Sequence, residues 1–482
     1  MHFFSFVRNV SFLRGRYALN YSDSFASNMK TVLLFIPHYV YTSDLLRTPF
    51  ITTLAQKNRV VVLSPVFSVT DPKEYPQHRN IVYRAWDILY PRFWVWMTKH
   101  LRIGLIREFD HLNYYKLRDY AFKVWYRRLP RAISRLLPHW ILSATMFMRW
   151  EKLLLPNHPA FRKLLAEYNP SLIITSSPGF SSFEAEVIIL AKKNRIPTAA
   201  INFSWDNLTT NAQQMRRSDY LVVWNYLVKG EAQKLHHYPE ENVFVSGTIR
   251  FDHHFAAHAH QKSREEFLRL KGLNPALKTI LFTGVPQHIY PYQAETIEDL
   301  LRGMEEKKIP PMNILIRIHP REVVDPFLPF AKLPNVHLEI PGHLKQKYSP
   351  TEPHKIEMDA SDYENLRDSL RFSDVGINYR SSVTLEFFIY DKPIINISYH
   401  NMRKNYTQDH YLPILNSRAI RLAENRDELF AAVNEYLARP ETDSDERRRL
   451  RDLFIPFRDG RSYERNVEAI NAILDRVSNN GR

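Results

Sequence analysis

Short apolar runs rich in Val, Ile and Leu recur along the whole chain, and segments with a helical period separate them. Such runs predict buried strands, and the helical segments provide the crossovers that a parallel sheet requires. The predicted strands cover residues 31–36, 59–64, 171–176, 197–202, 219–224, 242–247, 278–284, 312–318, 335–340, 373–378, 393–398 and 419–423. The predicted helices between them include 43–57, 158–168, 181–194, 228–237, 292–307, 361–372, 381–390 and 426–438.

Two α/β domains follow from this alternation, because 482 residues exceed the usual size of one domain. We predict a first Rossmann-like domain over 1–250, with a helical insertion at about 84–150, and a second Rossmann-like domain over 264–460. Residues 247–263 have no strong period and form the predicted hinge. The last segment, 461–482, is expected to carry a helix that crosses back to the first domain. Ligands are expected in the cleft between the domains, beyond the carboxyl ends of the strands.

The predicted insertion concentrates charge and aromatic residues. It contains thirteen basic and four acidic residues, and it supplies +9 of the net charge of +15, together with six of the eight tryptophans. One interpretation is a surface that contacts anionic membrane lipid. The other is a helical subdomain whose aromatic residues form its core and whose arginines are solvated. Nucleic acid is not an expected partner, because no recognised nucleic-acid-binding module accompanies the basic residues.

Composition excludes several classes of site. The chain has no cysteine, which excludes disulfides, metal–thiolate sites and cysteine nucleophiles. The amino terminus lacks the pattern of a signal peptide, and no apolar run is long enough to span a membrane. We therefore expect a cytoplasmic protein, with peripheral attachment to the inner face of the cell membrane as an option.

The segment GINYRSSVTLEFFIYDKPIINIS, residues 376–398, combines a strand, a polar loop, a helix and a second strand. Ser381 or Ser382 is predicted to cap the helix, whose free N–H groups suit a phosphate. Arg380 adds a charged donor, and Glu386 could accept from sugar or ribose hydroxyls. The alternative is an ordinary capped helix with an exposed or ion-paired glutamate.

The strand ILIRIHP, residues 314–320, ends in Arg317 and His319, which point to the same side. Such a pair at the mouth of a parallel sheet predicts a diphosphate clamp, in which His319 donates to a leaving phosphate. A structural histidine beside an exposed arginine is the alternative. Gly284, at the end of another predicted strand, would let the backbone approach a ligand closely.

The first half carries the predicted acceptor side. Asp206 follows a predicted strand and is a candidate general base, with His38, after the first strand, as the second candidate. Trp205 could support a sugar ring, and Asn207 and Gly179 are assigned to the same side; structural turn chemistry is the alternative for the Asp-Asn pair. No metal-binding motif is recognised, so no metal ion and no cofactor are expected.

Taken together, these motifs resemble bacterial surface-polysaccharide transferases of the GT-B superfamily, with echoes of CDP-glycerol glycerophosphotransferase-like and capsule-type proteins. The resemblance spans about residues 165–400. It implies an α/β fold of the GT-B type, with two Rossmann-like domains facing across a cleft, and usually no bound metal ion. It also implies that His319, Ser381, Ser382 and Glu386 hold the nucleotide donor. The motifs that carry it are SSPG, SWDNLT, VSGTIRFD, LFTG, IRIHP, SSVTLE and DKPIINI.

Three functions are compatible with these features. The first is metal-independent and inverting transfer of a sugar from a UDP- or CDP-linked nucleotide-sugar to a glycan or lipid-linked acceptor. The second keeps the fold and transfers glycerol phosphate or another polyol phosphate from a CDP-linked donor. The third is isomerisation of the UDP-N-acetylglucosamine 2-epimerase type, which has no use for a membrane-facing insertion.

Overall fold

The computed structural model describes residues 29–117, 125–138, 140–256, 262–344 and 356–480. The amino-terminal segment, where no signal peptide is predicted, lies outside these ranges, as do parts of the predicted insertion and hinge. None of the helices in the described ranges is long and apolar enough to cross a membrane.

The first sheet consists of seven parallel strands in the order β3-β2-β1-β4-β5-β6-β7. Most of its residues are buried, as expected for strands covered by helices on both faces. Only β3 was not predicted, because this edge strand is half-buried and lacks a continuous apolar run. The strands are β1 (Lys30–Phe35), β2 (Asn58–Ser64), β3 (Ile81–Ala85), β4 (Leu172–Thr175), β5 (Thr198–Ile201), β6 (Tyr220–Val223) and β7 (Val243–Val245).

The second sheet has six parallel strands in the order β10-β9-β8-β13-β14-β15, and a short antiparallel hairpin, β11-β12, lies apart from it. The predicted α/β fold with two parallel sheets is therefore confirmed. These strands are β8 (Lys278–Thr283), β9 (Met312–Arg317), β10 (Val336–Glu339), β11 (His343–Leu344), β12 (Ile356–Glu357), β13 (Val375–Asn378), β14 (Ile394–Ile397) and β15 (Arg421–Ala423).

Helices connect the strands and cover both sheets. The predicted helix 43–57 is two helices, because Pro49 begins a new one. The helices are α1 (Tyr39–Leu45), α2 (Phe50–Lys57), α3 (Arg92–Leu105), α4 (Asn113–Leu117), α5 (Trp125–Leu136), α6 (Ala144–Leu154), α7 (Pro159–Tyr168), α8 (Ser182–Lys193), α9 (Asn207–Thr210), α10 (Tyr226–His236), α11 (Arg264–Leu270), α12 (Gln293–Glu305), α13 (Ala360–Phe372), α14 (Val383–Ile389), α15 (Leu412–Leu415), α16 (Arg426–Ala438), α17 (Ser444–Phe454) and α18 (Ser462–Asn480).

The insertion forms helices α3 to α6 beside the first sheet. Its core is small and contains Ile106, Phe109 and Phe147. Buried Arg102 pairs with Glu151 at 3.0 Å, so part of the basic charge is structural. The alternative that the tryptophans form the core of the insertion is wrong for the following four, which are 39–68% exposed: Trp94, Trp96, Trp140 and Trp150.

The β11-β12 hairpin and helix α18 both join the first and second halves of the chain. The Glu357 carboxylate, on the β11-β12 hairpin, accepts hydrogen bonds from Thr42 Oγ1 at 2.7 Å and from Arg47 Nη2 at 2.7 Å. At the carboxy terminus, one face of α18 packs into the apolar core under the first sheet through residues such as Ile470 and Leu474. These contacts hold the carboxyl ends of the two sets of strands on either side of a common cleft.

Candidate active site

The loop between β13 and α14 supplies the most exposed cationic group of the predicted donor site. Arg380 has a left-handed backbone (φ 57°), and its N–H donates to Asn396 Oδ1 at 3.1 Å. Its guanidinium forms no ion pair with a carboxylate of the described residues. Burial lowers the pKa of Arg380, while Tyr406 and Asp206 act in the opposite direction. An unpaired, partly buried cation of this kind is suited to bind an anion.

The start of α14 differs in detail from the prediction. The helix begins at Val383, and Ser381 Oγ accepts a hydrogen bond from the Val383 N–H at 3.3 Å. Ser382 precedes the first helical residue and makes no side-chain cap. Ser381 therefore caps the turn, whereas the Ser382 hydroxyl caps no backbone N–H of the helix.

Glu386 lies inside α14 and is 4% exposed. His254 Nε2 donates to Glu386 Oε2 at 3.0 Å, and His254 Nδ1 accepts from the Tyr390 hydroxyl at 2.9 Å. Burial lowers the pKa of His254 to about 3, so this histidine is neutral at pH 7. One of its oxygens thus bonds to a buried histidine, which contradicts the alternative of an exposed glutamate. That Glu386 accepts from a sugar or ribose hydroxyl stays a prediction.

His319 follows the end of β9 at the same edge of the sheet. Its Nδ1 accepts from the Arg321 N–H at 3.0 Å, so the proton of the neutral ring is on Nε2. Burial lowers the pKa of His319 to about 3, and the nearby charges of Arg321 and His288 add to this effect. Gly284 lies close to the backbone of His319, because a Cβ at position 284 would come within 3.2 Å of the His319 backbone nitrogen. His319 can therefore act as a neutral hydrogen-bond donor.

Arg317 is committed to the protein rather than to the cleft. It is 5% exposed, pairs with Glu339 on the neighbouring strand at 2.9 Å, and donates to the Asp362 carbonyl at 3.0 Å. Because its guanidinium is already paired with Glu339, Arg317 is not available for the predicted diphosphate clamp with His319. The cation that faces the cleft here is Arg321, which makes no ion pair with a described carboxylate and which influences the pKa of Tyr41 in the first half.

Asp206 stands on the opposite side of the cleft, before α9. Its two carboxylate oxygens accept from Ser204 Oγ at 2.6 Å and from Thr210 Oγ1 at 3.2 Å. Its charge acts on both Arg380 and His410, where it opposes the lowering of the pKa that burial causes. Asn207 Oδ1 accepts from the Ser204 N–H at 3.0 Å, which is turn chemistry. The structure therefore brings the predicted base and the predicted donor cation together.

Trp205 does not face the cleft as the platform that was predicted for a sugar ring. It is 4% exposed and packs edge-on against His410 at 4.9 Å and against Phe454 at 5.3 Å. Both partners belong to the second half of the chain, so Trp205 belongs to the contact between the two halves.

The loop that contains Gly179 surrounds a buried carboxyl group. Glu184, in the first turn of α8, accepts from Ser176 Oγ at 2.8 Å and from Ser181 Oγ at 2.9 Å, and it also contacts the Ser177 hydroxyl. Burial raises the pKa of Glu184 to about 7, although these hydrogen bonds oppose the shift. Gly179 has φ 74°, and a Cβ there would approach Arg216, so its conformation and packing both require glycine.

His38, the second candidate base, is half-buried before α1, and its ring centroid lies 4.8 Å from that of Tyr41. The same region contains an ion pair that the sequence did not suggest. Arg250 Nη2 bonds to Asp44 Oδ2 at 3.0 Å, and the Arg250 guanidinium lies over the Phe203 ring at 4.1 Å.

Two further titratable residues near Asp206 were missed from the sequence. His410 is buried, its Nδ1 has no hydrogen-bond partner among the described residues, and burial lowers its pKa to about 4. Burial, together with the charges of Asp206 and Asp409, raises the pKa of Glu231 to about 8. Neither residue follows a strand in a recognisable motif. Glu231 comes close to Asp206 only because α10 packs beside the cleft.

Two clusters of described residues have metal-ligand atoms within 4.8 Å of one another. In the buried cluster, His253 and His254 lie beside Glu386, and the hydrogen bond from His254 to Glu386 already uses one ligand atom of each. The other cluster consists of His343, Asp359 and Asp362, is more exposed, and lies at the β11 hairpin. These are the positions where the described residues could hold a cation.

A family model described as CDP-glycerol:poly(glycerophosphate) glycerophosphotransferase matches residues 334–472. No curated protein matches the chain. The matched segment includes Arg380, Ser381, Glu386 and His410, whereas Gly284, His319 and Arg321 lie before it. Together with the fold, this match indicates a nucleotide-dependent transferase.

Solved structures resemble the chain over nearly its whole length. A putative UDP-N-acetylglucosamine 2-epimerase from Listeria monocytogenes is 11% identical, with a TM-score of 0.53 and coverage of 93% of this chain and 97% of that one. The UDP-GlcNAc 2-epimerase of Methanocaldococcus jannaschii, in complex with UDP-GlcNAc and UDP, is 13% identical, with a TM-score of 0.50 and coverage of 92% and 100%. The wall teichoic acid polymerase TagF is 12% identical, with a TM-score of 0.49 and coverage of 92% and 89%. The predicted resemblance to the GT-B superfamily is confirmed at the level of the fold.

Proposed function

We propose that this GT-B glycosyltransferase-like protein transfers a polyol phosphate of the glycerol phosphate class from a CDP-linked donor to a hydroxyl group of a glycan or lipid-linked acceptor. The observation that carries the proposal is the match of residues 334–472 to the glycerophosphotransferase family model. This segment contains the start of α14 and Arg380, which has no carboxylate partner among the described residues. Phosphoryl transfer depends on positioning and on stabilisation of phosphate charge, which such groups provide.

In the proposed reaction, the acceptor hydroxyl oxygen attacks the phosphorus that carries the polyol. A new O–P bond forms, the P–O bond within the diphosphate breaks, and CMP leaves. Asp206 takes the hydroxyl proton, with His38 as the alternative base. Arg380, Arg321 and the Nε2–H of His319 neutralise charge on the phosphates, and Ser382 and the N–H groups before α14 orient them.

Transfer of a sugar from a nucleotide-sugar is the second candidate. The GT-B fold favours it, because the same cleft can hold a UDP-linked sugar with its diphosphate against Arg380. In that reaction the acceptor oxygen attacks the anomeric carbon, and the nucleoside diphosphate leaves with inversion. The cations and His319 would then stabilise the leaving diphosphate.

Thermal protection by nucleotides separates these candidates. We expect CDP and CDP-glycerol to raise the Tm of the purified chain more than UDP or UDP-N-acetylglucosamine at equal concentration, because ligands that bind only the folded state stabilise it. A larger shift with the UDP compounds would favour sugar transfer. No shift with any of them would refute both proposals, and isomerisation of UDP-N-acetylglucosamine without an acceptor would identify an epimerase.

For the site of action, we propose the cytoplasmic face of the membrane, with peripheral attachment through residues 84–150. The exposed tryptophans and the basic charge of this segment support it, because indole rings and cations together suit the interface of an anionic bilayer. The chain should sediment with anionic liposomes at low salt, and high salt should release it. Equal recovery with and without liposomes would contradict the proposal.

A further inference from the structure

The insertion borders a large apolar cavity that opens to the surface and contains none of the residues assigned to the transfer reaction. Its volume is about 600 Å³, and its walls are formed by α3, α6 and the start of α8. This volume lies within the range of about 300–1,000 Å³ that is typical of ligand pockets. Most of the lining side chains are aliphatic or aromatic, and they include Val95, Leu101, Phe147, Ala185 and Ile189. The cavity therefore fits a hydrocarbon ligand better than a nucleotide or a sugar.

Exposed apolar side chains continue from the cavity onto the surface of the insertion. Trp94 and Leu154 line the cavity and are 55% and 77% exposed, and the adjacent Phe93 and Leu153 are also exposed. Large apolar side chains that remain in water at the edge of an apolar cavity indicate a surface that binds a ligand or a membrane. An entry from the bilayer side would let a lipid chain pass from membrane to cavity without crossing water.

One cation in the cavity wall is available for an anionic head group. Lys99 lines the cavity and forms no ion pair with a carboxylate of the described residues. Burial and the neighbouring charges of Arg127 and Arg216 lower its pKa. By contrast, Arg216 is paired with Glu151 at 2.5 Å. An anion beside Lys99 would offset the repulsion between these positive groups. The other carboxyl in the wall besides Glu151 is Glu186, and burial raises its pKa to about 7, which reduces its repulsion of an anionic ligand.

A single loop separates this cavity from the candidate active site. Phe180 and Ser181 line the apolar cavity. Three residues earlier, the Ser177 hydroxyl contacts Glu184 and lies close enough to Tyr41 to influence its pKa, and Tyr41 stands on the first-domain wall of the cleft. This loop therefore joins the wall of the cavity to the wall of the cleft.

We infer that the cavity binds the hydrocarbon chain of the lipid-linked acceptor and thereby presents its phosphorylated head to the cleft. That the cavity is an acceptor site rests on the proposed function, whereas the binding of a hydrocarbon chain in the cavity does not. The chemical class of the ligand is a long-chain lipid phosphate. Lys99 contacts the phosphate side, and Trp94 and Leu154 cover the chain where it enters.

Binding of farnesyl phosphate to the full-length chain, measured by isothermal titration calorimetry below its micelle concentration, tests this inference. We expect saturable binding of one molecule per chain and no comparable binding of glycerol phosphate, which has the head group without the chain. Val95→Phe fills the cavity and should weaken binding at least tenfold. The matched control Val69→Phe changes an exposed valine outside the cavity and should bind like the wild type.

Ala185→Phe fills the same cavity from the opposite wall and should also weaken binding at least tenfold, so the test does not depend on one variant. Lys99→Gln should weaken the binding of farnesyl phosphate severalfold and leave the binding of farnesol unchanged. Thermal melting identifies any variant that fails to fold. In that event, quenching of wild-type tryptophan fluorescence by a bromine-labelled lipid phosphate, lost in Trp94→Phe, replaces the titration. Unchanged binding in both filled variants, or no quenching, would overturn the inference.

Activity measurements distinguish this inference from the proposed function. If Val95→Phe loses transfer to a lipid-linked acceptor but still transfers to a short water-soluble acceptor, both proposals hold. If the chain binds farnesyl phosphate but transfers nothing from any nucleotide-linked donor, the proposed function fails and the lipid site stands. If transfer occurs and no lipid phosphate binds, the lipid site fails alone.

Discussion

On the first-domain face of the cleft, the carboxylates of Asp206 and Glu184 accept hydrogen bonds from serine and threonine hydroxyls. On the second-domain face, the guanidinium groups of Arg380 and Arg321 have no carboxylate partner among the described residues. A half-buried cation such as Arg380 is costly unless an anion accompanies it, whereas Arg321 is exposed. This difference between the two faces supports the proposal that the second-domain face binds an external anion and that Asp206 on the first-domain face takes up a proton.

Arg317 and Arg380 show the same difference, between a paired and an unpaired charge, within one domain. Both follow the carboxyl-terminal edge of the second sheet, but Glu339 neutralises Arg317 and no described carboxylate neutralises Arg380. Arg317 is thus part of the framework that holds β9 and β10 together. Arg380 is the better candidate for contact with the donor phosphates.

The largest expected effect comes from removing the charge of Arg380. Arg380→Gln should lower kcat/KM by about 10²–10³-fold, since losing one donor to developing charge typically has this effect. The variant should also lose thermal protection by CDP. Arg380→Lys should recover part of the activity, because it retains the charge without the planar donor pair. Arg418→Gln, at an exposed arginine of the same domain, is the control; equal activity of Arg380→Gln and this control would refute the assignment.

The next effect tests the opposite face of the cleft. Asp206→Asn should lower kcat by about 10²–10⁴-fold, as expected for loss of a general base, while CDP still protects the protein from heat. Asp87→Asn, at an exposed first-domain aspartate, should be fully active. If His38 is the base instead, His38→Gln should show the loss in kcat and Asp206→Asn should remain active. Parallel measurements of kcat for the two variants decide between the two bases.

A third prediction concerns the contact that holds the two faces together. Glu357→Ala should reduce the free energy of unfolding by about 3–5 kcal/mol, the usual effect of breaking a buried ion pair from one side. The carboxylate of Glu357 is 2% exposed and bonds to Arg47 at 2.7 Å, whereas exposed Glu74 is 4.0 Å from the same arginine. Glu74→Ala should therefore change stability by no more than about 1 kcal/mol. Urea denaturation of both variants measures the difference.

The pH dependence of the Glu357 contact has a definite sign. Burial opposes ionisation of Glu357, but the hydrogen bonds from Arg47 and Thr42 outweigh it and hold its pKa below the usual carboxyl value. A depressed folded pKa stabilises the protein above the pKa of the unfolded state, and the contribution is lost as the pH falls through the folded pKa. The difference in the free energy of unfolding between wild type and Glu357→Ala should therefore become smaller in acid. A difference that is constant with pH would contradict a contribution from ionised Glu357.

Local pattern was enough to predict the central strands of both sheets, because β8, β9, β13 and β14 are mostly apolar and buried. It missed the edge strand β3 and the hairpin β11-β12. It was not enough for the partners of the charged residues. Glu339, which neutralises Arg317, belongs to another strand. His410 reaches Asp206 only when the two halves pack together, and the same packing buries Trp205. These side chains depend on contacts between residues far apart in sequence, which no short motif records.

The smallest expected effect concerns the charge of the first-domain face itself. Burial raises the pKa of Glu184 from 4.5 to about 7, so the folded protein retains a proton that the unfolded chain loses between these values. A raised carboxyl pKa means that stability falls as the pH rises across this interval, by about 2–3 kcal/mol in all. Glu184→Gln cannot ionise, so its Tm relative to wild type should rise between pH 5 and pH 8. Parallel Tm curves for the two proteins would show that Glu184 is ionised throughout this range.

Glu167→Gln is the matched control for this measurement, because Glu167 is exposed, pairs with Arg84 at 2.8 Å and has a lowered pKa. Its Tm relative to wild type should be flat above pH 5. If the Tm relative to wild type rises with pH for Glu184→Gln but not for Glu167→Gln, Glu184 is only partly ionised near pH 7. In the proposed reaction, a partly protonated Glu184 would repel a donor diphosphate less than a fully ionised Glu184.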